Sequence, residues 1–263
     1  LGDVYKRQAL QSGVSLFNAS SNVDRSEWNI FTNGLDLQSN FPGIQGYGYS
    51  LLVSKEDKES HIQSIRDEGF PEYTIKPEED KDEYTAIVYL EPFDERNINA
   101  FGLDMTFETN RRTAMHAARD NGEPYMSGSV TLVQEIDEDV QVGFLMYVPH
   151  YDINKPKTTI KERQDALIGY VYSPFRMRDF MAGILGDRDL VIDFVIYDGT
   201  QDAIGDEDLL MYSSRRPGED LLSKELAHLT KTSTINIGNH EWSIVYSPRP
   251  EFGLGIAKEL SLI

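Results

Sequence analysis

One carboxylate stands apart in this acidic chain. Asp104 lies in Ala100-Phe101-Gly102-Leu103-Asp104-Met105, an apolar run just ahead of a helical segment. A carboxylate placed there can accept hydrogen bonds from backbone N–H groups at the helix start. It can equally face a pocket and accept from a ligand's donors. The residue pattern leaves both uses open. Other chemistry is poorly supplied. The five histidines, at 61, 116, 150, 228 and 240, have no paired metal-ligand spacing. There is no Gly-x-Ser-x-Gly elbow, no His-Glu-x-x-His helix and no phosphate-binding Gly-x-x-x-x-Gly-Lys-Ser/Thr. Gly43, Gly46 and Gly48 do not match Gly-x-Gly-x-x-Gly and suit close packing in a strand instead. A hydrolase built on two facing acids would need them roughly 5–10 Å apart, and nothing in the pattern marks such a pair. Glu135–Asp139 lacks the glycine and spacing of an EF-hand and is expected to be a solvated hairpin. No catalytic residue, metal ligand or cofactor is therefore assigned, and this segment is expected not to be an enzyme.

Composition narrows the classes further. The chain has 263 residues, 25 Lys+Arg against 44 Asp+Glu, and no cysteine. The absence of Cys excludes disulfides, thiolate zinc sites, Fe–S clusters and a Cys nucleophile. A net charge of -19 repels phosphate backbones, so nucleic acid is not an expected partner. Hydrophobic residues at 40% suffice for a core. No run reaches the roughly 18–20 apolar residues of a membrane span.

The elements that would position Asp104 follow from periodicity. Ala9 to Phe31 is helical in pattern, with Leu10, Val14, Leu16, Phe17 and Val23 near helical spacing and Ser/Asn-rich interruptions. A glycine-rich strand runs to Val53, and a short helix carrying Ile62 and Ile65 stops at Gly69. Strands are expected near Tyr73–Lys76 and Thr85–Leu90. A second helix spans about Glu108–Asp120, with Ala114, Met115 and Ala118 as its narrow apolar face and Gly122 as its stop. Strands follow near Tyr125–Gln134, Val142–Pro149 and Ala166–Tyr172. Ser173-Pro174 then looks like an N-cap and first-turn proline for another helix. Four more strands follow, near Leu190–Tyr197, Leu209–Tyr212, Ser233–Ile237 and Trp242–Tyr246. The mixture is an α+β chain in two parts, dividing between Ser173 and Asp189.

The two ends look foreign to it. Asp3 to Gln8 resemble the translation of a transposon adaptor, and Leu260–Ile263 resemble the start of that adaptor read on the opposite strand. Residues 1–8 and 260–263 are therefore expected to be scars flanking a natural segment of a longer protein.

An ordered series of short motifs resembles the CHASE domain, an extracytoplasmic sensory module of histidine kinases, nucleotide cyclases and cyclic-di-GMP enzymes. It includes Phe41-Pro42-Gly43-Ile44-Gln45-Gly46, Glu68-Gly69-Phe70-Pro71, Val88-Tyr89-Leu90-Glu91-Pro92 and Gly102-Leu103-Asp104. It continues with Arg111-Arg112-Thr113-Ala114-Met115, Gly143-Phe144-Leu145-Met146-Tyr147-Val148-Pro149, Gly169-Tyr170-Val171-Tyr172 and Trp242-Ser243-Ile244-Val245-Tyr246. The resemblance implies a long stalk helix over 9–40, a membrane-distal PAS-like subdomain over 41–173 that binds a small molecule, and a membrane-proximal PAS-like subdomain over 174–259. In the plant cytokinin receptors of this family, an aspartate of a Leu-Asp-Met segment grips an adenine-type ligand. The matching residue is Asp104, and the matching backbone position on the next strand is Met126. Met146, Val148, Tyr172 and Ser173 match pocket-wall positions. The chain departs from the plant receptors at Thr106-Phe107-Glu108 and at the bulky Tyr172, which argues against cytokinin itself.

The leading expectation is a small-molecule-sensing domain on the extracytoplasmic face of the cell membrane. It would be anchored by spans outside this segment, dimeric through the stalk, and linked to a histidine kinase or cyclase output. The alternative is a soluble solute-binding or dimerisation module without signalling output.

Overall fold

The computed structural model describes residues 2–41, 43–134, 140–186, 188–215 and 227–249. Helix α1 (Gly2–Ala19) ends at Ser20. Asp24 then starts α2 (Arg25–Gly34). Its side chain accepts from Glu27 N, and the Glu27 carboxylate accepts from Asp24 N, closing a capping box. A single turn, α3 (Leu37–Asn40), follows. The expected stalk over 9–40 is thus three helices rather than one. The reason is local: Ser, Asn and Asp side chains compete for backbone groups and cap helices better than they continue them.

The first sheet is antiparallel. It contains β1 (Tyr47–Ser54), β2 (Glu83–Glu91), β3 (Tyr125–Met126), β4 (Val130–Thr131), β5 (Val142–Tyr151) and β6 (Leu167–Arg176), in the order β2-β1-β6-β5-β3, with β4 also on β5. Helix α4 (Lys58–Asp67) joins β1 toward β2, and α5 (Thr109–Asn121) precedes β3. The Glu108 carboxylate accepts from Asn110 N and Arg111 N at the start of α5, and Gly122, at φ 73°, ends the helix. Tyr73–Lys76 contributes only an isolated bridge from Lys76 to Leu103 rather than a strand. Helix α6 (Ile160–Ala166), which precedes β6, is held by a Thr159/Glu162 capping box.

Ser173-Pro174 does not open a helix. Both lie inside β6, opposite Met146 and Leu145, and α7 (Met177–Leu185) begins only after Arg176. Pro174 is tolerated because its carbonyl accepts from Gln45 N on the side where β1 has ended its pairing, so no bond to β5 is lost. The second sheet contains β7 (Ile192–Asp198), β8 (Leu210–Ser213), β9 (Lys231–Ile237) and β10 (His240–Pro248), ordered β8-β7-β10-β9. The acidic hairpin expected at Glu135–Asp139 lies outside the described residues.

Strand alternation sorts the core into two layers. On one face of the first sheet, Phe144, Met146 and Val148 of β5 and Val171 and Phe175 of β6 meet Leu10 and Val14 of α1. That layer runs on into the second sheet through Phe180, Ile196, Met211, Trp242 and Ile244. On the opposite face, Leu145, Tyr147, Tyr170 and Tyr172 meet Ala114, Met115 and Ala118 of α5, together with Leu103 and Met105.

Candidate binding site on the helix α5 face

Asp104 is 1% exposed and fully engaged. Its Oδ2 accepts from Lys81 Nζ at 2.8 Å. Its Oδ1 accepts from Thr85 N at 2.9 Å, from Thr106 N at 3.1 Å and from Thr106 Oγ1 at 2.8 Å. The carboxylate therefore caps the short 3-10 turn Met105–Phe107 and ties it to the edge of β2. Burial alone would lower the Lys81 ammonium, but the hydrogen bonds it donates to Asp104 and Glu79 outweigh that and raise it, keeping the cation charged. Of the two uses left open by the sequence, the structure displays the capping one.

The other five expected residues do not share one wall. Tyr172 faces α5. Met146 and Ser173 pair across β5 and β6, with Met126 beside Met146 on β3, and Val148 lies one pleat along. Met126, Met146 and Val148 belong to the opposite layer, with α1 and the second sheet. Ser173 shares the parity of Val171 and Phe175 in that layer. Met126 N donates to Gly238 O at 2.7 Å, so this N–H binds the second sheet. A period of two separates neighbouring strand residues onto opposite faces, so a wall running through both Val148 and Tyr172 is geometrically split.

The α5 face holds three polar side chains that no expectation grouped. Arg111 is 2% exposed. Its Nη2 donates to Thr131 O at 3.3 Å and its Nη1 lies 3.7 Å from the Met105 sulfur. Its Nε stands 4.0 Å from Glu108 Oε2, beyond hydrogen-bond reach, and has no partner. Beside it, Tyr147 and Tyr172 are completely buried, cross-strand neighbours with ring centroids 6.2 Å apart. Neither hydroxyl has a hydrogen-bond partner. Burial pushes both phenols well above their usual value, and the nearby guanidinium pulls against that rise. Gly48, paired with Tyr172 across β1 and β6, makes room for this ring. A Cβ at Gly48 would stand 2.6 Å from it.

Arg111 was legible in the sequence, though it was not singled out. It lies three and four residues before Ala114 and Met115, on the same helical stripe. A charge on a buried stripe is the informative exception. Tyr147 carries no such signal.

The opposite layer has its own orphaned atoms, Trp28 Nε1, Ser173 Oγ and Trp242 Nε1, and its own depressions, where the buried phenols and imidazoles are paired. A cleft of about 630 Å³ at the end of α1 is lined by Phe17, Tyr49, Tyr89, His61 and His150. There Tyr49 Oη shares a hydrogen bond with His150 Nδ1 at 2.8 Å, and Tyr73 Oη with His61 Nε2 at 2.9 Å. Val148 lines a smaller one of about 350 Å³ with Gln11 and Val14. Among the described residues, no group of three or more His, Asp or Glu is placed to hold a metal ion.

The family profile described as CHASE domain matches residues 21–212. The chain belongs to the CHASE domain family. It is thus an extracytoplasmic sensory domain with PAS-like architecture, as the motif series implied. An extracellular ligand binding receptor from Desulfohalobium retbaense DSM5692 is similar in structure, with a TM-score of 0.50 and 10% identity over 94% of this CHASE chain. The chain spans 37% of that receptor's length. The ligand binding domain of the Pseudomonas aeruginosa PAO1 amino acid chemoreceptor PctB, in complex with L-Arg, aligns with 95% of this chain and 88% of its own, at a TM-score of 0.45 and 10% identity. No curated protein sequence matches the chain. Among the described residues, no helix is long and apolar enough to cross a membrane.

Proposed function

We propose that this CHASE domain is the small-molecule-sensing part of a membrane-anchored receptor of the histidine kinase or diguanylate cyclase type. Its ligand binds in the first subdomain, between α5 and the sheet. The supporting observation is the trio Arg111, Tyr147 and Tyr172. Buried polar groups without partners are rare in folded proteins and call for an explanation. Here they gather on one side of a PAS-like sheet, within an otherwise apolar layer, which is the usual character of a small-molecule site. Tyr172 is common to this site and to the expected pocket wall. Asp104 in this reading shapes the site's edge through the Met105 turn.

Relay runs through the strap that follows α5. Met126 N donates to Gly238 O, Ser129 N donates to Asp198 Oδ2 at 2.7 Å, and Asn239 Nδ2 donates to Pro124 O at 3.0 Å. Any ligand-driven shift of α5 is transmitted by this strap to β7 and to the β9–β10 turn. Dimerisation through α1 carries the signal onward.

The test is a thermal-shift screen of a metabolite library on the purified chain. A ligand confined to the native state raises Tm, and Tyr172→Ala is expected to remove the rise. Stabilisation that persists in Tyr172→Ala and disappears in Val148→Trp would move the site to the opposite face and overturn the reading.

A further inference from the structure

The chemistry of the three orphaned groups specifies what they would hold. Guanidinium nitrogens only donate, and a phenol at neutral pH is the donor when an acceptor is offered to it. Tyr147 and Tyr172 both stay protonated, since burial disfavours the phenolate. The site therefore carries one permanent positive charge and three hydrogen-bond donors lacking acceptors. Its neighbours cannot supply them. Leu103, Met105, Met115 and Leu145 are apolar, and Thr131 O already serves Nη2. Glu108, at 4.0 Å, is engaged by Asn110 N and Arg111 N. Asp104 is saturated by Lys81, Thr85 and Thr106.

We infer that the ligand of this site is a small organic anion whose carboxylate sits among Arg111 Nε, Tyr147 Oη and Tyr172 Oη and whose apolar body lies against Met105, Met115 and Leu145. Arginine suits a carboxylate because its planar fork can present two donors at once. The apolar surroundings favour a hydrocarbon or aromatic body and disfavour a small inorganic ion. This inference rests on the sensing reading above and reverses the donor-rich, adenine-like ligand that Asp104 would select.

The experiment uses the full purified chain and matched probes. Butyrate, hexanoate, benzoate and phenylacetate are compared with their amides and with inorganic phosphate, alongside the metabolite library. One or more carboxylates are expected to raise Tm by about 5–10 °C at a hundredfold excess over Kd, with the matching amides giving no rise. Arg111→Gln is expected to remove the effect. Arg111 also touches Thr131 and Met105, so a second variant guards against simple misfolding. The double change Tyr147→Phe, Tyr172→Phe removes only two hydroxyls that have no partner. It is expected to leave the ligand-free Tm unchanged or raised, while weakening carboxylate binding at least tenfold. Phosphate stabilising as well as any carboxylate would overturn the organic-body part. Stabilisation confined to amides, amines or purines would overturn the anion inference and leave the sensing reading standing. A library in which nothing raises Tm would overturn both.

Discussion

At the scale of single residues, buried polar groups divide into those with partners and those without. Asp104 is the fully partnered case. Removing it would strand the buried Thr85 N, deprive Thr106 of its partner and leave Lys81 Nζ with Glu79 alone. Asp104→Ala should therefore destabilise the fold by about 2–4 kcal/mol in urea titration. The ligand role that the family resemblance implies for Asp104 would instead give a variant that folds and fails to bind. The difference arises because an aspartate before a helix looks the same whether its oxygens meet backbone or ligand. His150 provides a pH signature. Burial holds its imidazole down to about 4, with smaller influences from Asp152, which raises it, and Lys157, which lowers it. The unfolded chain takes this proton near pH 6.5 while the folded chain takes it only near 4, so the unfolded state binds more protons in between. The neutral-His150 contribution is complete above about pH 6.5 and is lost as pH falls toward 4, with a slope of up to about 1.4 kcal/mol per unit. His150→Phe should flatten that window in the pH dependence of unfolding free energy.

At the scale of elements, the strap between α5 and the second sheet is the decisive joint. Asp198 accepts from His240 Nε2 at 2.5 Å as well as from Ser129 N. Burial alone would raise this carboxyl, but those hydrogen bonds outweigh it and hold it below the usual carboxylate range. Its contribution is thus present above about pH 4 and lost as pH falls through its lower folded value. Asp198→Ala should speed hydrogen exchange at Met126 and Ser129 by about tenfold or more, with the amides of α4 unchanged. Equal acceleration in both places would show global destabilisation instead of a local joint. Neither partner of this strap is visible as a pair in sequence, since Ser129 and Asp198 are 69 residues apart. By contrast α5 and its Gly122 stop were legible, because stripe and cap are local signals. The strand through Ser173-Pro174 was not, because pairing with β5 overrode a good local helix start.

At the scale of the whole molecule, one core layer joins both halves. Phe144 of β5 meets Trp242 of β10 edge to face at 5.2 Å and stacks on Phe175 at 5.0 Å. The chain has two tryptophans, Trp28 in the first half and Trp242 in the second. Trp28→Phe and Trp242→Phe leave one reporter in each. Their urea transitions should coincide once each curve is normalised to the stability of its own variant measured by circular dichroism, as a continuous core requires. Two separated midpoints would mean that the halves unfold independently.

The sequence by itself determined the family, the α+β class, most elements and the acidic, cysteine-free chemistry, because these depend on ordered motifs, local periodicity and composition. The tertiary structure decided which residues share a site. Val148 and Tyr172 have near-identical claims on paper, yet one faces α1 and the other α5. Arg111, Tyr147 and Tyr172 come together only when a helical stripe is laid over two paired strands. Side-chain direction in a sheet is set by register, and register is fixed by long-range pairing that no local signal carries.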